Sequence, residues 1–155
     1  RWKAEKERQL MTSKQVLLSV TGKAQSPQEE GEAVRLLTTG TLTGEKDDWR
    51  LRYTETQPDG GGTHEITVTM NRGVVTMERQ GDYETSMVFE KGCRFEGSYA
   101  TPYGALDMGV YATRVKYQVD PSAGGEVSLQ YQLDLQGQFA AMHELHIRFC
   151  PAGKA

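Results

Sequence analysis

Residues 127–136 read Val-Ser-Leu-Gln-Tyr-Gln-Leu-Asp-Leu-Gln, with every apolar side chain at an odd number and every polar one at an even number. Strict alternation sends the two sets to opposite faces of an extended strand, one buried and one wet. The next apolar run repeats it, with Leu145, Ile147 and Phe149 set against Glu144, His146 and Arg148. Tyr131, Leu133, Leu135, Leu145 and Ile147 are therefore expected in a core, with Gln130, Gln132, Glu144 and His146 facing water. Gln136-Gly137, between the two runs, suits a two-residue hairpin loop.

The same period extends upstream. Trp49, Leu51 and Tyr53 alternate with Arg50, Arg52 and Thr54, and Ile66, Val68 and Met70 with Thr67 and Thr69. The breaks are turn chemistry: Gly81-Asp82 suits a two-residue loop, Asn71-Arg72-Gly73 a three-residue loop, and Thr101-Pro102-Tyr103-Gly104 a type I turn. Strands are expected near 15–24, 33–43, 48–56, 64–71, 74–80, 83–90, 93–100, 105–119, 126–135 and 139–149. Connections this short pair sequence neighbours antiparallel. One open sheet would leave two exposed edges, and closure removes both. The inward phase of 105–119 changes from even (Leu106, Met108, Val110) to odd (Val115, Tyr117, Val119), which asks for a bulge or bend near Gly109. The expected fold is all-β: a single antiparallel up-and-down barrel of roughly eight to ten strands over 15–155, with a two-sheet sandwich as the alternative. Residues 1–14 form a charged N-terminal extension, helical or disordered, because RWKAEKERQL interleaves good helix formers with few large apolar residues.

Composition narrows the function classes. At 155 residues the chain is one domain, able to bury a core without a metal or disulfide staple. Net charge is −3 and the sequence pI about 5.7, against the basic balance of a nucleic-acid binder. No stretch approaches the length of apolar chain that a membrane helix needs, so no membrane partner is expected. Cys93 and Cys150 fit no metal or redox spacing and are expected as free, half-buried thiols in a reduced cytoplasm, with a disulfide between them as the alternative.

Several short motifs occur together in order: Met87-Val88-Phe89-Glu90-Lys91-Gly92, then Tyr99, Thr101-Pro102-Tyr103-Gly104 and Met108-Gly109-Val110, then Gly137-Gln138-Phe139 with His143-Glu144-Leu145. With them the chain resembles the YwiB-like family of small bacterial proteins, over roughly residues 15–149. The resemblance implies a calycin-type, lipocalin-like β-barrel and a cytoplasmic, bacterial setting. It implies no particular activity, ligand or catalytic residue.

Familiar chemical motifs are weak. Gly60-Gly61-Gly62 lacks the Lys-Ser/Thr of a phosphate loop and opens a strand, so it reads as a hairpin loop. His143 and His146, three apart on a strand, point to opposite faces and cannot share a metal unless the strand is bulged. Ser98 follows Gly97 without a nucleophile-elbow pattern, and Glu45, Asp47 and Asp48 read as a solvated turn. No catalytic residue, metal or cofactor is expected.

One constellation stands out. Strands 48–56, 74–80 and 93–100 run the same way in a meander, and each carries a polar residue late in its inward phase: Glu55, Arg79 and Tyr99. His64 and Tyr83 lead the inward phase of the strands that start at that rim, and His143 should approach it. Glu55, His64, Arg79, Tyr83 and Tyr99 are thus expected around one barrel mouth, above Tyr53, Met77, Met87 and Phe95. An Arg there can take a carboxylate head, with Glu55 orienting its fork. The alternative is that these groups satisfy one another and plug the end. The function expected is a module that binds a small, partly apolar ligand in the mouth. The alternative is a packed barrel acting through a protein partner or as a homodimer; an acid–base enzyme is a distant third.

Overall fold

The structure, a computed structural model, describes residues 12–28, 31–56 and 62–153. Ten strands follow one another: β1 (Thr12–Gln25), β2 (Val34–Glu45), β3 (Asp48–Thr56), β4 (Thr63–Asn71), β5 (Val74–Gln80), β6 (Thr85–Phe89), β7 (Arg94–Thr101), β8 (Gly104–Asp120), β9 (Gly124–Leu135) and β10 (Gln138–Pro151). Each pairs antiparallel with its sequence neighbours, and β1 also pairs with β10, which closes an up-and-down barrel. The expected helical extension lies almost wholly in residues 1–11, outside the described residues, while Thr12–Lys14 belong to β1. Gly60 and Gly61 also lie outside them.

Turn chemistry fixes the register. Arg72 and Gly73 both adopt positive φ (51° and 80°), as do Gln136 and Gly137 (54° and 75°), so each pair spans a hairpin with the twist of its flanking strands. The 71–73 turn is therefore a two-residue loop, with Asn71 still paired in β4, not the three-residue loop expected. The β5–β6 connection departs the other way: it is four residues, Gly81–Glu84, and β6 starts only at Thr85. The phase change in β8 is met by a bulge between Ala112 and Arg114, not near Gly109. Gly109 serves a different need, since a Cβ there would strike the Arg94 guanidinium. With that space clear, Arg94 lies across β8 and bonds Asp134 (2.8 Å) on β9 and Glu96 (3.2 Å).

The two ends of the barrel differ. At the end where β1 begins, the interior is filled: Val16, Leu42, Leu51, Met70, Phe89, Val127 and Ile147 are almost wholly buried. The turns there are latched. Asp47 accepts hydrogen bonds from the Arg72 amide (3.0 Å) and the Tyr117 hydroxyl (2.7 Å), and that hydroxyl accepts from the Gly73 amide (2.8 Å). The β2–β3 turn, expected to be merely solvated, is thus tied to the β4–β5 turn and to strand β8. Toward the opposite end, Val20, Leu36, Tyr99, Leu133, Leu135 and Leu145 point inward but are only partly buried. This corrects the expectation for Leu133, Leu135 and Leu145, which pack against the core from its edge and are partly buried. Gln130 and Gln132 are half-buried, held by hydrogen bonds to Glu144 (3.2 Å) and Asp134 (3.0 Å).

Cys93 and Cys150 are free but exposed, not half-buried. Cys93 sits in the turn after β6, and Cys150 takes the outward phase of β10 beside the buried Phe149. Among the described residues no helix is long and apolar enough to cross a membrane.

Candidate functional site

The partly filled end gathers the polar residues. Glu55 stands opposite His64 across β3–β4, and Ile66 opposite Arg79 across β4–β5, so the three lie on adjacent inward positions. Arg79 Nη2 bonds Glu55 Oε2 at 3.4 Å, with both side chains about one-third exposed (32% and 29%). The pair is partly solvated, which suits a group that can exchange partners. Next along the rim, Arg79 faces Thr85 on β6 and Thr85 faces Tyr99 on β7.

Among the described residues, two polar atoms here are buried and find no hydrogen-bond partner: Arg79 Nε and His64 Nδ1. Buried donors and acceptors are nearly always paired, and leaving one unmade costs about 1–3 kcal/mol. His64 is only 5% exposed. Its ring lies against Gly81, where a Cβ would meet its Cδ2 at 2.7 Å. The four-residue β5–β6 loop therefore covers His64 closely.

Beneath the ion pair lies an aromatic floor. Burial, and then the Glu55 charge, pushes the Tyr53 hydroxyl well above its ordinary range, while Arg79 pulls it back. Burial likewise raises Tyr131 to about 12, again opposed by Arg79. Both phenols stay neutral near Arg79 and can donate or accept a hydrogen bond. Tyr131 stacks on His143 (centroids 5.1 Å apart, planes at 7°) and packs tilted against Phe89 at 4.7 Å. Burial holds the His143 imidazole below its usual value, so it too is neutral at pH 7.

The structure thus brings together Glu55, His64, Arg79, Tyr53 and Tyr99, with His143. It does not bring in Tyr83, which lies exposed in the Gly81–Glu84 loop, because the loop is longer than Gly81-Asp82 alone. Tyr131 was legible as a core residue but not as part of this cluster. The β9–β10 hairpin alone would pair it with Met142; a bulge between Phe139 and Ala141 shifts the register by one and sets it opposite His143. His146 takes the other face and meets Glu126 at 3.3 Å. Among the described residues no three His, Cys, Asp or Glu gather within reach of one metal ion.

Comparison with known proteins agrees with this frame. A family model described as a domain of unknown function, DUF1934, matches residues 18–147. Among solved structures, the crystal structure of the ywiB protein from Bacillus subtilis superposes with a TM-score of 0.81 at 19% identity, covering 95% of this chain and 99% of that one. At that identity the likeness speaks for the fold. No curated protein matches the sequence.

Proposed function

The chain belongs to the DUF1934 family, and from that premise we propose that it is a binding module of calycin type, which holds a small, partly apolar organic anion in the open end of its barrel. The observation that carries this reading is Arg79: a cation at the mouth, in a partly exposed ion pair, whose buried Nε donates to nothing. A carboxylate placed there would accept from that Nε and share the guanidinium fork with Glu55. Partly buried Val20, Leu36, Leu133 and Leu145 offer an apolar wall for the rest of the molecule. His64 Nδ1 adds a second buried group in want of a partner.

A thermal-shift series with acetate, hexanoate and decanoate tests it. Wild type should melt higher with decanoate than with acetate, and Arg79→Ala should lose that gain while still folding cooperatively. No shift with any of the three, together with a large melting loss in Arg79→Ala, would mean that the Arg79–Glu55 pair is a structural plug.

A second reading rests on a different observation. Leu17 and Leu37 are 48% and 68% exposed on the outward faces of the adjacent strands β1 and β2, an apolar patch that suits a protein partner or a second copy. The exposed, unpaired Cys93 and Cys150 support a reducing, cytoplasmic setting.

A further inference from the structure

The barrel wall is incomplete between β6 and β7. Every other neighbouring pair forms a ladder of five or more residue pairs, but β6 and β7 pair only at Thr85↔Tyr99. Beyond that bridge, on the way to the turn at 90–93, the interior shows through. Met87 and Phe95 point inward and are only partly buried, whereas Ile66 and Val68 on β4 are at most 1% exposed. Gly97 leaves the gap clear: a Cβ there would press on the Phe95 ring, 2.9 Å from Cε2. A cavity of about 320 Å³ occupies this gap, within the range of small-ligand sites.

Its lining comes from both faces of the wall. Arg79, Thr85 and Phe95 line it from the inward phase, and Glu78 and Ser98 from the outward phase, with Glu84 in the loop above. Charge is therefore split across the wall. The cation is inside, with its Nε unpartnered. Glu78 and Glu84 stand at the outer lip and form no ion pair among the described residues. A simple anion meets two carboxylates at this lip, and a simple cation meets Arg79 within. A molecule with an anionic end, an apolar middle and a cationic end satisfies all three zones.

We propose that the β6–β7 gap is a binding subsite for an amphipathic zwitterion, an amino-carboxylate such as an ω-amino acid or a dipeptide. Its carboxylate rests on Arg79, its apolar stem on Phe95, and its ammonium at Glu78 and Glu84. This rests on the reading of Arg79 as an anion holder and adds the class of ligand and the place of its second charge.

Chemical-shift titration of the ¹⁵N-labelled protein with 6-aminohexanoate, hexanoate and hexylamine tests it. All three share one apolar stem and differ only in their charges. 6-Aminohexanoate should bind tightest, up to about fivefold tighter than hexanoate, the scale expected of one half-exposed charge pair. Its shifts should centre on residues 78–86 and 95–98. Glu78→Gln with Glu84→Gln should erase that preference, weakening 6-aminohexanoate and tightening hexanoate, which no longer meets the two carboxylates. Gly97→Val, which fills the gap, should weaken 6-aminohexanoate in a protein that still melts cooperatively. Hexanoate binding as well as 6-aminohexanoate, with no response to the charge variants, would overturn the zwitterion subsite while leaving the anion site at the mouth intact. No binding by any of the three would overturn both.

Discussion

Leu129 and Leu133 lie four residues apart on β9, both pointing into the barrel, yet the structure gives them different surroundings. Leu129 is 1% exposed and packed on all sides, while Leu133 is partly buried near the open end. Truncation to alanine removes the same isopropyl group from each. At about 0.8 kcal/mol per buried CH₂, that group is worth roughly 2.4 kcal/mol in transfer alone. At Leu129 the void is sealed, so the lost contacts add to this and the cost should reach about 3–4 kcal/mol. At Leu133 part of the surface is already wet and water can enter the space, so the cost should fall to about 1–2 kcal/mol. Equilibrium urea unfolding, with unchanged m-values, reads both numbers. Equal costs at the two positions would refute the asymmetry of the barrel ends, and with it the space in which a ligand is proposed to sit.

Other predictions follow from single contacts. Gly109→Val should displace the Arg94 guanidinium, and the Asp134 carboxyl, now held low by Gln132 first and Arg94 second, should rise part of the way to its ordinary value in an NMR pH titration. His143 is held below its ordinary value by burial, so the unfolded chain binds its proton more readily. Stability from this group is present above the ordinary histidine value of about 6.5 and is lost as pH falls through and below it. His143→Gln should flatten that part of a melting-temperature-against-pH curve, and an unchanged slope would show that His143 does not cause it. Both cysteines should react with a thiol reagent in the native protein, and Glu90→Gln should speed Cys93, whose thiol is raised first by its hydrogen bond to Glu90.

The fold was legible because a barrel strand with one wet face writes its period into the chain. The 127–136 run and its partners place all ten strands to within three residues at each end. What escaped were shifts of one or two residues that alternation does not encode. The bulge at Thr113 is masked by β-branched and polar neighbours that suit either face. The loop after β5 hides its length because Tyr83 and Thr85 keep the strand's parity, and this misplaced Tyr83 in the mouth. Glu55, His64 and Arg79 were legible because tight meander connections bring late and early inward positions to one rim. The Tyr131–His143 stack needed the bulge at Ala140, which no turn motif marks. The β6–β7 gap had no signal in the period at all, since Met87 and Phe95 read as ordinary core residues whether or not their strands are hydrogen-bonded.

Native mass spectrometry of the protein isolated gently from its own host tests most directly whether the open end of the barrel carries a small molecule on Arg79. The expected result is a population heavier than the bare chain by one small organic molecule, released on mild activation and missing from Arg79→Ala purified in the same way. Wild-type protein that shows only the mass of the bare chain, and takes up neither decanoate nor 6-aminohexanoate when they are added, would contradict it.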